Sequence, residues 1–249
     1  MNLLLTNDDG FFAEGINSLY SELAKNHNVY IIAPHINRSS VSCCLDMIHK
    51  DLEIKKINEK IWSCSGYPCD CVVLGLRSKL IEVKIDAVVS GINNGANLGT
   101  DIIYSGTCAA SRQSVLLNCP SVSFSLSMNK KNDELDYRLL SEFASKNLEN
   151  LVNLSKKNKS AFVNVNACSE SEYKGIEFAT SLCRREYNDS FELKNENGNM
   201  KASLINSPVK TEMIHSSDYG ICQTEKISIS LVDVNPVCFP VVDDLPFSL

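Results

Sequence analysis

Two apolar runs, "LLLT" at Leu3–Thr6 and "VYIIA" at Val29–Ala33, lie close enough together to fix the fold class. Between them, Gly15–Lys25 carries Ile16, Leu19, Leu23 and Ala24 at helical spacing. Strand, helix and strand in so short a stretch make a βαβ unit, whose right-handed crossover puts both strands parallel in one sheet. The pattern continues along the chain. A hairpin is expected from Leu52–Ile57 and Ile61–Cys64 around "NEK", and a helix over Cys69–Leu80 with Pro68 near its start. Ala87–Ser90, Ser121–Ser125 and Ala161–Val165 read as strands, and Gly106–Leu117 and Asp133–Lys156 as helices. Past Gly175 the pattern changes: Asn197-Gly198 marks a hairpin, "ISISLV" at Ile227–Val232 alternates like a strand, and the tail from Pro236 is irregular. The expectation is an α/β fold, a doubly wound and mostly parallel sheet with an antiparallel extension. Residues 1–175 form the core, and 176–249 form a C-terminal hairpin and extension continuous with it.

The 249 residues, 44% of them apolar, suffice for one well-buried domain. A net charge of −6 argues against a nucleic-acid partner and against anionic membrane surfaces. No apolar run is long enough to span a bilayer, and Asp8 and Asp9 interrupt the first one at once; the chain reads as cytoplasmic. Its 11 cysteines include no CxxC pair, so they read as reduced and mostly buried thiols. The four histidines show no ligand spacing.

In a doubly wound sheet, ligands bind beyond the carboxyl ends of the strands. Three loops expected there carry unusual polar residues: Asn7-Asp8-Asp9-Gly10, "NRSS" at Asn37–Ser40, and "SGINNGANLGTDIIYSGT" at Ser90–Thr107. Two adjacent carboxylates at the end of a buried strand repel each other and resist burial unless a cation pairs with them. Gly10 supplies the sharp turn that lets both face one ion. With neutral oxygens from Ser39 and Asn93 they would suit one hard divalent cation, Mg²⁺, Mn²⁺ or similar. The competing reading is an Asp that merely caps the next helix. Ser105, Gly106 and Thr107 sit where a helix begins and would offer hydroxyls and free N–H groups to an anion, or would simply cap that helix.

Together these motifs resemble the survival protein SurE family of metal-dependent nucleoside monophosphate phosphatases. "TNDDG", "AP…NRS", "CDCV" and "VVSGINNGANLGTDIIYSGT" occur in the family's order and spacing. "FVNVN" at Phe162–Asn166 and "SSDYG" at Ser216–Gly220 match more loosely. The resemblance implies a Rossmann-like domain and a C-terminal hairpin used in assembly as a homodimer or homotetramer. It implies Asp8, Asp9, Ser39 and Asn93 as metal ligands, with Asp8 and Asp9 catalytic. Asn7, Asn97, Ser105, Gly106 and Thr107 would line the phosphate and substrate pocket. The chain departs from the family pattern at His35, Ser40, Tyr67, Gln113 and Ala167, none of them a proposed ligand.

The function so implied is hydrolysis of nucleoside 5′-monophosphates to nucleoside and phosphate. An aspartyl-phosphate phosphatase fits less well, because such enzymes set their two aspartates two residues apart. A catalytically silent nucleotide-binding regulatory module is the alternative from another class, and retention of every proposed ligand argues against it.

Overall fold

The computed structural model describes residues 1–128 and 135–237. In chain order the first half holds β1 (Asn2–Thr6), α1 (Glu14–Leu23), β2 (Asn28–Pro34), β3 (Ile54–Asn58), β4 (Ile61–Cys64), α2 (Pro68–Arg77) and β5 (Ala87–Asn94). A short 3-10 turn (Gly99–Ile103), α3 (Gly106–Leu116), β6 (Ser121–Ser127), α4 (Arg138–Lys157) and β7 (Ala161–Cys168) follow. The last part contains β8 (Ile176–Phe178), β9 (Arg185–Glu186), β10 (Ser190–Glu196), β11 (Asn199–Ile205), β12 (Lys210–Thr211), α5 (Asp218–Cys222) and β13 (Ile227–Asp233).

Nine strands form one sheet in the order β3-β4-β2-β1-β5-β6-β7-β13-β8. The pairs from β4 through β7 are parallel, while β3 on β4 and β13 on β7 are antiparallel. From β1 the chain winds outward to β2 and β4; from β5 it winds the other way to β6 and β7. The direction reverses between β1 and β5, where loops leaving adjacent strands diverge and open a crevice.

The continuous apolar runs are explained by burial on both faces. Leu3 and Leu5 point to one layer, packed with Ile16 and Leu19 of α1 and Leu140 and Leu148 of α4. Leu4, between them, faces the other, with Ile32, Trp62 and Val72 of α2. The sheet is thus a Rossmann-like layer with helices on both sides, as the sequence predicts. Among the described residues no helix is long and apolar enough to cross a membrane.

Several boundaries differ. The second helix ends at Arg77, not Leu80, because Ser78 turns extended and its hydroxyl accepts from the Leu80 N–H, starting a turn. The strand expected over Ala87–Ser90 continues to Asn94 with a register shift between Ser90 and Asn93. Only glycine serves at Gly91 (φ +122°): a Cβ there would lie 2.3 Å from the Phe124 carbonyl oxygen. The fourth helix begins at Arg138; the start expected at Asp133, and the tail beyond Val237, lie outside the described residues.

Candidate active site

The loop after β1 builds the floor of the crevice. Gly10 (φ +105°) turns the chain, and the Asn7 side-chain amide donates to the Gly10 carbonyl (2.9 Å), closing the turn on itself. Asn7 is fully buried, and its Oδ1 has no hydrogen-bond partner among the described residues. The turn sends Asp8 and Asp9 to different supports. Asp8 is buried at the start of α3: its carboxylate accepts from the Thr107 hydroxyl (2.5 Å) and the Thr107 N–H (3.1 Å). Asp9 is half-buried and accepts from the Asn94 N–H at the end of β5 (2.8 Å).

This arrangement places a carboxylate where the helix dipole and free N–H groups favour an anion. Gly106 makes the approach feasible, since a Cβ there would come within 2.8 Å of Asp8 Cβ and Oδ2. Burial still raises the Asp8 pKa, against the lowering effect of the Thr107 bonds. Burial also raises that of Asp9, to about 6; the Asn94 N–H lowers it, and the Asp8 charge adds to the rise. Two neighbouring carboxylates that resist ionisation are a site lacking positive charge.

The second loop is docked onto the first: the Arg38 N–H donates to the Asp8 carbonyl (2.6 Å). It brings Ser39 and Ser40 to the rim, with the Ser39 N–H held by Asn37 Oδ1 (2.8 Å). Asn93, at the end of β5, donates to the Gly95 carbonyl (2.8 Å) and turns its Oδ1 to within 3.4 Å of the Thr107 hydroxyl. Asp8, Ser39, Asn93, Asn97 and Ser105 share one cavity of about 480 Å³. A larger cleft of about 740 Å³, lined by Lys84, Asp86, Asn118 and Lys156 among others, holds none of these residues.

Asn97 is fixed by a frame invisible in any local pattern. Its N–H donates to Asn166 Oδ1, and its carbonyl accepts from the side-chain amides of both Asn164 and Asn166. These two asparagines, at i and i+2 of β7, share a face of the sheet. The Asn97 amide donates to Ser125 Oγ (2.8 Å). "SSDYG" has a similar role: buried Asp218 accepts from the N–H groups of Gly99 (2.7 Å) and Cys183 (2.8 Å). Ser105 caps α3 by accepting from the Cys108 N–H, so that hydroxyl serves the helix as well as lining the cavity.

The cavity also holds residues the sequence reading missed. Asp101 and Tyr104 lie inside the long motif without having been singled out, and Tyr187 arrives from the last third of the chain. Tyr187 donates to Asp101 Oδ1 (2.6 Å), and Arg185 pairs with Asp101 Oδ2. No local signal marks these contacts, which join positions more than eighty residues apart.

Of the four expected ligands, Asp8, Ser39 and Asn93 line the cavity, while Asp9, its carboxylate held by the Asn94 N–H, is not among the lining residues. An all-oxygen donor set with two carboxylates fits a hard divalent ion. Among the described residues no three His, Cys, Asp or Glu side chains gather as a ligand group. Any ion here would therefore rely on two carboxylates and neutral oxygens.

Comparison with known proteins gives a consistent answer. Residues 3–189 match the family described as survival protein SurE. A Clostridium botulinum protein named 5′-nucleotidase SurE is 33% identical over 250 residues, covering 98% of this chain and 97% of its own. A Leptospira interrogans protein of the same name is 32% identical over 253 residues, covering 100% and 98%. The crystal structure of a SurE protein from Aquifex aeolicus superposes with a TM-score of 0.80 at 28% identity, over 95% of each chain.

Proposed function

Since the chain belongs to the survival protein SurE family, we propose that it is a 5′-nucleotidase that hydrolyses nucleoside 5′-monophosphates with the help of one divalent cation. The observation that carries this reading is the Asp8 carboxylate, seated on α3 and open to a cavity shared with Ser39, Asn93, Asn97 and Ser105. Asp8, Asp9, Ser39 and Asn93 would hold the ion. A hard cation bound there would neutralise charge on a phosphate oxygen and acidify water.

The chain's own groups supply the rest. Asn97, held rigidly by β7, offers a fixed edge for the phosphate, and Ser105 brings its hydroxyl to the same wall; Gly106 and Thr107 lie behind it, with the Thr107 hydroxyl and N–H given to Asp8. Burial and the Asp8 charge raise the Asp9 pKa in the metal-free chain, and a cation held beside it would return the carboxylate to its ionised form. Asn7 acts behind the surface, holding the turn that aims both aspartates. Tyr104 and Tyr187 give the cavity an aromatic side, suited to a nucleoside rather than a bare phosphoester. Assembly through residues 176–249 as a homodimer or homotetramer belongs to the same proposal, as does a cytoplasmic location.

The test is phosphate release from nucleoside 5′-monophosphates by chelator-treated protein, with Mn²⁺ or Mg²⁺ added back. Activity that vanishes with chelation and returns with metal supports the reading. Full activity in metal-stripped protein would end the cation's role. Tight nucleotide binding without turnover under any metal would favour the silent regulatory module.

A further inference from the structure

Thr107 stands in the first turn of α3 and is fully buried. The family resemblance implies a place for it in the phosphate pocket. Yet Ser105, two residues earlier, lines the cavity, and Thr107 does not. Its surroundings give it a different task.

Both donors of Thr107 are already committed. The hydroxyl gives its single proton to Asp8 Oδ1 (2.5 Å), and the N–H goes to Asp8 Oδ2 (3.1 Å). The next N–H groups of α3 are taken as well. That of Cys108 donates to the Ser105 hydroxyl (3.0 Å), and that of Ala109 to the Ser105 carbonyl (3.0 Å). A phosphate oxygen needs a donor, and Thr107 has none left to offer.

What Thr107 holds is a carboxylate. One donor on each oxygen fixes the plane of Asp8 and leaves each oxygen a second lone pair. The same hydroxyl oxygen lies 3.4 Å from Asn93 Oδ1. The Asn93 amide nitrogen is spent on the Gly95 carbonyl (2.8 Å), so its oxygen is the end turned toward Thr107. One buried hydroxyl therefore sits between oxygens from the loop after β1 and from the end of β5. Those are the adjacent strands where the winding of the sheet reverses. A branched side chain with few allowed rotamers makes the grip stiff.

We infer that Thr107 is a positioning residue, which aims Asp8 and backs Asn93 for a divalent cation and makes no contact with the phosphate. The inference rests on the reading above that Asp8 and Asn93 hold the ion. It moves Thr107 from the substrate's side of the site to the ligands' side. Groups that orient metal ligands from behind are worth about 10–100-fold in metal affinity. Thr107 should act at that scale, through its hydroxyl.

The experiment measures Mn²⁺ affinity by calorimetry on substrate-free, full-length protein: wild type, Thr107→Val and Thr107→Ser. Val keeps the shape and the N–H but lacks the hydroxyl; Ser keeps the hydroxyl. Thr107→Val should weaken Mn²⁺ binding by about 10–100-fold, while Thr107→Ser stays close to wild type. At saturating Mn²⁺, inorganic phosphate should bind Thr107→Val as it binds wild type. Unchanged Mn²⁺ affinity in Thr107→Val would overturn the proposal. So would equal losses in Val and Ser, which would mark a packing role for the methyl group. Weaker phosphate binding at saturating Mn²⁺ would return Thr107 to the phosphate pocket. Because a buried replacement can disturb folding, crystals of the wild-type chain with Mg²⁺ and inorganic phosphate supply a second readout. There the Thr107 hydroxyl should stay on Asp8, and a phosphate oxygen bonded to it would overturn the proposal. Wild-type protein that binds no Mn²⁺ would end the cation reading and this inference together. Failure confined to the variants would leave the cation reading standing.

Discussion

The strands that carry the candidate site and the strands of the late hairpin are built on opposite principles. In β1 and β5 nearly every side chain is buried, and the site's polar groups project from their ends. In β10 and β11 every residue of both strands is exposed. Yet the hairpin is not polar throughout. Its pairing puts Phe191 opposite Leu204, Leu193 opposite Ala202 and Asn195 opposite Met200 on one face, and Glu192, Lys194, Lys201 and Ser203 on the other. Phe191, Leu193 and Met200 are each more than 60% exposed. A two-stranded ribbon with one bare apolar face is marginal alone. The candidate site's polar groups thus find their supports within this chain, whereas the hairpin leaves an apolar face bare.

If that contrast holds, damage to the first region should abolish chemistry without changing assembly, and damage to the second should do the reverse. The largest effect is expected from Asp8→Asn, which keeps the shape but removes the charge seated on α3. Nucleotidase turnover should fall by at least about 100-fold, with molar mass by light scattering unchanged. If Asp8 only caps α3, Asn would serve nearly as well and the rate would hold. Next comes Asn166→Ala, which leaves the Asn97 N–H without its acceptor. It should cost about 1–3 kcal/mol of stability by chemical denaturation and raise KM, since Asn97 then keeps only its bonds to Asn164 and Ser125. An unchanged KM would detach Asn97 from substrate.

The hairpin variant Leu193→Lys with Leu204→Lys should lower the particle mass to that of a smaller assembly, while turnover per chain stays within about twofold. Loss of activity alongside loss of mass would break the comparison, because the site would then need the neighbouring copy. The smallest effect concerns Asp9→Asn. In metal-free protein it relieves a half-buried charge beside Asp8 and should raise the melting temperature by about 2–4 °C, the response to ~1 kcal/mol in a domain of this size. With Mn²⁺ present the order should reverse, because the variant loses ligand-linked stabilisation.

How much of this was legible depends on how far a contact reaches. "LLLT", "VYIIA" and "AVVS" announced themselves because strands buried on both faces must be apolar without interruption. Asn197-Gly198 announced its hairpin because few other pairs tolerate that turn. Asp8, Ser39, Asn93, Asn97 and Ser105 were found from motifs in three loops, and the fold brings them to one cavity. The grip of Asn164 and Asn166 on Asn97 was not readable. Their sequence marks only a strand, and the partner is fixed by the neighbouring strand order. Tyr187 and Arg185 were missed for the same reason: a chain segment returning across the crevice leaves no periodicity at either end. The short strands β8, β9 and β12 are too brief to show a pattern at all.

The contact between Gly106 and Asp8 also bears on how such a chain can change over time. With less than 3 Å for a methyl group, position 106 has no conservative substitute, and even alanine would push α3 off the carboxylate it supports. Position 8 is constrained in return, since a longer acidic side chain would have to enter the same gap. Neither residue can drift first and wait for the other. A saturation library should therefore find positions 8 and 106 frozen as a pair, while Cys44 and His49, on the exposed loop nearby, accept most replacements.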